Sequence, residues 1–415
     1  MLGRVHVIGA GLAGLAAAVR LSAAGRQVRL YESGQHAGGR CRSYFDRELG
    51  CRIDNGNHLL LSGNQAALAY LSEIGARATM LTAPAPAVAF YDIRSGERWT
   101  LRLNRGRVPW WLFDAGRRVP ETRAADYLAA LRLPFAPADA TVERCLGGPR
   151  RLYERLWEPF SVAALNTEAK AGSARLVWAV VRRTFGRGGG ACVPMVPETG
   201  LSESFVDPAM AFLGAHAAEV RFGQLLRQIR FDGSRAHALV FADAAVELGP
   251  DDAVVIAVPP WIAAGLLPEI VVPTEHRAIV NAHYRLPSGE QTDFGLGIIG
   301  GLAQWIFRKR DVVSVTISAA DALVDRDAAE LAAAIWHDVS AALALLAAAP
   351  PPWRIVKERR ATFAATPAQH ARRPGTHTRW SNLVLAGDWT ATGLPATIEG
   401  AVLSGQRAAA ALDRL

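Results

Sequence analysis

The sequence predicts an α/β fold in which a nucleotide-binding domain, assembled from separate pieces of chain, carries an inserted α+β domain. Three observations predict it. A strand, a glycine-patterned turn, a helix and a second strand follow one another between Arg4 and Glu32. A strand, a Gly-Asp turn and a helix recur late in the chain, from Ser381 onward. Between them, residues 218–260 alternate as short strands that can return the chain to the first unit. With 415 residues, the chain is too long for one simple core. The expected division assigns residues 1–62, 190–265 and 378–415 to the nucleotide domain, and 63–189 and 266–377 to the inserted domain.

The first piece is the most explicit. RVHVI (Arg4–Ile8) reads as a buried strand, and GAGLAG follows it. An alanine-rich helix comes next, closed by Gly25, and QVRLYE forms the second strand, ending at Glu32. This is a Rossmann-like βαβ unit with its glycine fingerprint in the required context. Gly9 permits the tight turn, Gly11 lets a pyrophosphate approach the backbone, and Gly14 lets helix and strand pack closely. Ala10, Leu12 and Ala13 complete the turn at the helix N-terminus, where the dipole favours phosphate. Glu32, with Ser33 after it, is placed to bind ribose hydroxyls, and its charge would repel a 2′-phosphate. GLGIIG (Gly295–Gly300) also matches the glycine pattern. No apolar strand precedes it and FRKRDVVSVTISA after it reads as strand, so it is a decoy.

The next loop, SGQHAGGRCRS, distinguishes FAD from NAD. The bare backbone of Gly38 and Gly39 can pass close to a cofactor, while Arg40 can meet phosphate or flavin oxygens. Near the other end, NLVLAG is a strand, Asp388 follows Gly387, and a helix is expected from Pro395 onward. An aspartate in this place can bind the ribityl hydroxyls of FAD. The helix N-terminus near Thr397 and Ile398, with Ala401 one turn on, would set its positive dipole against the N1/C2 edge of the flavin. The middle piece would bring the backbone around Leu226 beside the adenine.

Composition narrows the classes further. Half the residues are hydrophobic and one-fifth are charged, as in a folded globular protein. The net charge of +8 is carried by scattered arginines, since Lys170, Lys309 and Lys357 are the only lysines. With no long basic run, nucleic acid is not an expected partner, whereas an anionic membrane surface is compatible with the charge. The four cysteines (Cys41, Cys51, Cys145, Cys192) show no metal-ligand spacing, and no metal is expected. They suit a cytoplasmic protein. No run of 18 apolar residues occurs, so no membrane span is expected, and the glycine fingerprint explains the apolar amino terminus better than a targeting segment.

These motifs, in this order, resemble the flavin-dependent amine oxidases and carotenoid desaturases. More narrowly, DNGNHLLL, LWEPFSVAALNTEAKAGSARLVWAVV, VPETGLSESFVDPA, AQWIFRKR and AGDWTATGLPATIEGAVLSG are similar to the squalene-associated branch, the hydroxysqualene dehydroxylases of bacterial hopanoid biosynthesis. The resemblance covers nearly the whole chain. It implies an FAD-dependent oxidoreductase that removes the hydroxyl of hydroxysqualene to give squalene, with an external electron donor. The hydroxyl carbon is allylic, so protonation and loss of water leave a delocalised cation that hydride from flavin N5 can quench. The protein need only hold the lipid, exclude water and supply a proton.

The resemblance also gives IDNGNHLLL (Ile53–Leu61) a role beyond a turn leading into a strand or helix. Gly56, Asn57 and His58 would lie beside the flavin ring, and His58 could protonate the leaving hydroxyl or orient water. Trp305 and Phe307 alternate on one strand face and could wall a lipid cavity. RVPWWLFDAGRRVP (Arg107–Pro120) and RLVWAVVRRTFGR (Arg175–Arg187) mix tryptophan, apolar residues and arginine, which suits either a membrane-interface surface or a core with solvated arginines. The second could be an amphipathic helix with Leu176, Val177, Val180 and Val181 on one side. Other activities stay open on the residues alone. An amine oxidase would use an aromatic cage and a lysine-held water, for which three lysines offer little. A carotenoid-type polyprenyl desaturase or isomerase, or a non-catalytic flavin or lipid carrier, would share the apolar tunnel.

Overall fold

Five short strands from distant parts of the chain build one parallel sheet. The computed structural model describes residues 3–286, 293–346 and 349–412. The sheet order is Glu219–Arg221, Val28–Tyr31 (β2), Val5–Ile8 (β1), Ala253–Ile256 and Leu383–Leu385. In register, Val7 sits between Leu30 and Val255, and Val255 pairs with Val384. Ala253–Ile256 and Leu383–Leu385 are continuous apolar runs because both faces of the parallel sheet are covered, whereas the edge strand Glu219–Arg221 is mostly charged. Val5, Val7, Leu30, Val255 and Val384 join a cluster with the helix Leu12–Ala23 (α1) and the C-terminal helix Ile398–Leu412. Ile8, Tyr31, Val254, Ile256 and Leu385 face the opposite way, toward an antiparallel sheet of Leu226–Asp232, Arg235–Phe241 and Ala245–Glu247. There Phe241 stacks on Tyr31 with ring centroids 4.6 Å apart.

Helix α1 ends as its sequence suggests. Gly25 takes φ +77°, and the amides of Gly25 and Arg26 donate back to Ser22 and Leu21 at 3.0 Å each. The C-terminal helix, in contrast, starts at Ile398 rather than at Pro395. The Thr397 hydroxyl accepts the Gly400 amide (3.1 Å) and so caps the first turn three residues later than expected. This helix lies tight on α1, because a Cβ at Gly405 would stand 2.2 Å from the Ala13 carbonyl oxygen.

The second large sheet has seven strands, ordered Trp353–Phe363, His276–Arg285, Val312–Ile317, Trp305–Lys309, Leu296–Ile299, Ala87–Asp92 and Glu97–Arg102. Its two faces differ because side chains alternate along each strand. Val280, Ala282, Tyr284, Ile306, Val313 and Val315 cluster with Leu331, Ile335, Trp336 and Val339 of the helix Ala328–Leu343. Asp327 begins that helix by accepting the amides of Ala329 and Glu330. The other face carries Asn281, His283, Ser314, Thr316, Trp305, Phe307 and Lys309, paired across the strands. GLGIIG runs into the strand Leu296–Ile299 and then a hairpin with Trp305–Lys309, so it presents no helix N-terminus to a phosphate. The segment read as amphipathic is the helix Ala174–Arg183, with Leu176, Val177 and Val181 buried and Val180 only partly so.

Candidate active site

The turn after β1 is built for close approach. Gly9 has φ +102°, and a Cβ there would lie 2.7 Å from the Ala257 carbonyl oxygen. A Cβ at Gly14 would stand 1.8 Å from the Gly9 carbonyl oxygen, whereas a Cβ at Gly11 would meet no protein atom within 4 Å. The third glycine therefore serves packing, and the second borders open space at the start of α1. No side chain caps that helix start, which leaves its first amides for a ligand. Gly38 donates to the Ala10 carbonyl (2.8 Å), and the Cβ position of Gly39 is 3.4 Å from the Gly11 Cα. The two glycine-rich stretches thus form one cradle.

Glu32 closes the cradle and also supports the protein. Its carboxylate accepts the amides of Ala10 (2.9 Å) and Gly34 (2.8 Å) and the Ser33 hydroxyl (3.2 Å). Two carboxylate oxygens still have lone pairs to offer. The Gln224 amide donates to the Glu32 carbonyl at 2.8 Å, which sets Leu226, buried at the start of its strand, near the same acid.

The late motif meets the early one through an ion pair. Arg40 contacts both carboxylate oxygens of the buried Asp388, at 2.9 and 2.8 Å, and donates to the Ala361 carbonyl. Asp388 is therefore held by arginine rather than standing alone. Gly387 donates to Ser404 Oγ at 2.8 Å, and Trp389 Nε1 donates to the Val258 carbonyl at 2.9 Å, so the turn is anchored on both sides. Ile398 is buried, and Thr397 and Ala401 are half-buried at the start of the C-terminal helix. Arg373, which sequence reasoning missed, lies buried beneath residues 388–394 and donates to four of their carbonyls.

The stretch Asp54–His58 lies between this cradle and the polar face of the seven-stranded sheet. None of its residues has a positive φ, so left-handed turn geometry does not explain its composition. A polar chain does. Asn57 donates to Thr316 Oγ1 (3.1 Å), Thr316 to Asn281 Oδ1 (2.8 Å), and Asn281 Nδ2 to the Asn55 carbonyl (3.2 Å). A Cβ at Gly56 would press on Asn281 Nδ2 at 3.1 Å, so glycine there admits this side chain. Asp54 accepts Ser43 Oγ (2.6 Å) and the Leu201 amide (2.9 Å) and pairs with Lys309 Nζ (3.2 Å).

A cavity of about 160 Å³ opens here, lined by Asp54, Asn57, His58, Phe307, Lys309 and Ser314 among others. His58 makes no hydrogen bond or ion pair with any described residue. Burial lowers its pKa, with Asp54 opposing and Arg40 adding to the shift, so its imidazole is neutral near pH 7. Phe307 reaches the cavity, whereas Trp305 on the same strand face packs edge-on against Phe90 at 5.8 Å.

His283 lies close by, fully buried, with Nδ1 2.7 Å from Ser314 Oγ and no partner at Nε2 among the described residues. Burial takes its pKa to about 4, against the opposing charges of Asp54 and Asp46. The fold favours the neutral ring, so the unfolded chain binds the extra proton between about pH 6.5 and 4. That stabilisation is complete above this window and is lost as pH falls through it. His283→Gln should remove up to about 3 kcal/mol of the acid-linked loss in urea unfolding between pH 7 and 4. Equal losses in wild type and variant would count against a buried neutral ring. His6 and His370, which burial also takes to about 4, keep the remainder.

Residues 12–413 match the family model described as flavin containing amine oxidoreductase. Over 406 residues, 98% of this chain and 97% of the relative, the sequence is 51% identical to a hydroxysqualene dehydroxylase of Rhodopseudomonas palustris. The chain belongs to the hydroxysqualene dehydroxylases. A second relative of that name, from Zymomonas mobilis, is 45% identical over 97% of both chains. An oxidoreductase of known structure from Methanosarcina mazei has a TM-score of 0.74 at 16% identity, covering 97% of this chain and 99% of that one, and so shares the fold.

FAD is the cofactor of this flavin-dependent oxidoreductase family, and the dehydroxylase chain fits it. Open space at Gly11, uncapped amides at α1, the Glu32 carboxylate and a second helix start at Ile398 lie along one cradle. Sequence reasoning placed Gly9–Gly14, Glu32, Gly38–Arg40 and Asp388 near one another, and the fold brings them together. Asn281, Thr316 and Arg373 left only faint signals. Asn281 is one of the polar residues that alternate with apolar ones along HRAIVNAHYR, and Arg373 precedes a proline in a short loop.

Proposed function

We propose that this protein removes the hydroxyl group of hydroxysqualene to give squalene, in a site shared by an FAD cradle and the His58 cavity. The observation that carries this is the meeting of His58, Phe307 and the Lys309–Asp54 pair in one cavity beside the Arg40–Asp388 link. Reduced FAD supplies hydride when bound, and an external donor supplies its electrons. Residues 1–62, 190–265 and 378–415 would hold the cofactor, and 63–189 and 266–377 the lipid. Gly9 through Gly14 with Gly38, Gly39 and Arg40 would take the pyrophosphate. Glu32 and Ser33 would take the ribose, with Leu226 at the adenine. Asp388 steadied by Arg40, with Gly387, Thr397, Ile398 and Ala401, would face the ribityl chain and flavin edge.

The cavity residues divide the remaining work. Phe307 gives an apolar wall and helps exclude water from an allylic cation. A neutral His58 offers one N–H to the hydroxyl oxygen, but full proton transfer needs its charged form. Lys309, paired with Asp54, adds positive charge to the same cavity beside Arg52, Arg308 and Arg310. Because the His58 pKa is lowered, its charged fraction is small at pH 8 and grows as pH falls toward 6. The single-turnover rate should rise accordingly, and His58→Ala should be slow and flat with pH. A variant that keeps the wild-type slope would exclude His58 as the proton source.

The deciding experiment is anaerobic. Protein carrying reduced FAD is mixed with hydroxysqualene while flavin absorbance and squalene are followed together. Flavin reoxidation in step with squalene formation supports the proposal. Bound substrate with persistent reduced flavin and no squalene would overturn it. An apolar lipid substrate supports a cytoplasmic protein seated peripherally on the inner face of the cytoplasmic membrane, and no described helix is long and apolar enough to cross a membrane.

A further inference from the structure

Twelve large apolar side chains are exposed among the described residues, and six of them fall between Val108 and Phe135. Five of them sit on two short helices, Trp110–Phe113 and Ala124–Phe135, and Val108 just precedes the first. Trp110 is 66% exposed, Phe113 72% and Phe135 85%, with Val108, Leu128 and Leu131 also mostly exposed. Such a concentration on one stretch is unusual for surface that only meets water. It is also held firmly. Trp111 and Tyr127 are buried and cross edge-to-face at 5.3 Å, and the Val119 amide donates to the Tyr127 hydroxyl at 3.0 Å. The second helix has 3₁₀ form, three residues per turn, so Leu128 and Leu131 share one side.

Positive charge surrounds this patch. Residues 105–135 contain six arginines against three acids, and residues 175–187 contain four arginines and no acid. Gly189 and Gly190 donate to the carbonyls of Asn104 and Arg105 at 3.1 and 2.9 Å, which ties the two arginine-bearing segments together. The side chains of Arg107, Arg132, Arg182 and Arg187 form no hydrogen bond or ion pair with any described residue. Inward, Trp111 and Tyr127 belong to the same apolar cluster as Phe90, Trp99 and Trp305, on the face of the seven-stranded sheet that meets the active site. The patch is the outer end of that cluster.

We infer that this surface docks on a bilayer rich in anionic lipid. Trp110, Phe113, Leu128, Leu131 and Phe135 enter the boundary between headgroups and acyl chains, and the unpaired arginines lie over lipid phosphates. Tryptophan beside arginine suits that boundary, where one end of the side chain is wet and the other apolar. A second copy of the chain fits the patch poorly, because two surfaces with the same arginine excess would repel each other. Docking here aims the apolar cluster at the lipid from which the substrate comes. It rests on the dehydroxylase reading for its purpose and not for the binding itself.

The test is sedimentation of the FAD-loaded protein with vesicles of phosphatidylcholine alone, or with about one-third phosphatidylglycerol. The wild type should bind the mixed vesicles at least about tenfold more strongly, and less so in high salt. Trp110→Ser, Phe113→Ser and Phe135→Ser combined should abolish sedimentation, while FAD content and turnover of detergent-dispersed hydroxysqualene persist. Arg107→Gln, Arg132→Gln and Arg187→Gln combined should erase the preference for phosphatidylglycerol. Wild-type binding by either triple variant would overturn the inference. So would wild type that ignores both vesicles, or that forms a dimer lost in the serine variant. Vesicle binding without detergent turnover would instead sink the dehydroxylase reading and leave the docking surface standing.

Discussion

Arg373→Met should destabilise the protein by about 3–5 kcal/mol and release FAD, because it strips one buried cation from a loop that has no other donor of that reach. The guanidinium donates to the carbonyls of Leu394 (2.7 Å), Asp388 (3.0 Å), Trp389 (3.4 Å) and Thr390, and to Thr392 Oγ1 (3.1 Å). It also lies over the Phe363 ring at 4.9 Å. Burial lowers its pKa to about 10, with Asp388 opposing, so it remains charged at neutral pH. Methionine would fill much of the volume and take the guanidinium from all five acceptors, of which only the Thr390 carbonyl and Thr392 Oγ1 keep a backbone donor among the described residues. Lysine would recover only part, since a compact ammonium cannot span the arc that a planar fork reaches. Urea unfolding followed by FAD absorbance after gel filtration measures both effects. A variant with wild-type midpoint and flavin content would show that the loop holds its shape without the arginine.

The second large effect separates two glycines three residues apart. Gly11→Ala places its methyl group in space that contains no protein atom within 4 Å. The apoprotein should therefore keep its melting temperature while FAD affinity falls by about 100-fold, a loss of about 2.7 kcal/mol from steric exclusion of the pyrophosphate. Gly14→Ala instead drives a methyl group to 1.8 Å from the Gly9 carbonyl oxygen and 3.3 Å from Ala257 Cβ. That change should lower the melting temperature of the apoprotein as well as flavin content, because α1 must move off β1. Calorimetry of both apoproteins, followed by FAD titration, distinguishes them. Equal melting losses in the two variants would refute the separate roles assigned to these positions.

What could be read in the sequence was local. Gly9, Gly11, Gly14, Gly25 and Glu32 lie within one βαβ unit, where spacing alone sets geometry, and the structure keeps that pattern. The start of the C-terminal helix was misplaced because proline at N1 is a weaker signal than the hydroxyl of Thr397, which caps it. The contacts that build the His58 cavity were not legible for a different reason. Asn57 meets Thr316 across 259 positions, Asn281 meets Asn55 across 226, and Lys309 meets Asp54 across 255. No periodicity links such pairs. The clue was polar residues alternating with apolar ones along HRAIVNAHYR, which mark a second, wetter face of the strand. Asp388 was legible as the residue of a turn after a strand, but its pairing with Arg40 was not, since either could have met solvent.

The strand order of the parallel sheet also bears on how the protein comes off the ribosome. Val5–Ile8 emerges first, yet its neighbour Ala253–Ile256 follows some 250 residues later, and Leu383–Leu385 completes the edge later still. Throughout synthesis the earliest strand must wait with an unpaired edge, a state prone to wrong pairing. The seven-stranded sheet, with its helix Ala328–Leu343, can close before the nucleotide cradle does. If Asp388, Thr397 and Ile398 hold the flavin end as proposed, FAD loading has to wait until Leu383–Leu412 has joined the sheet.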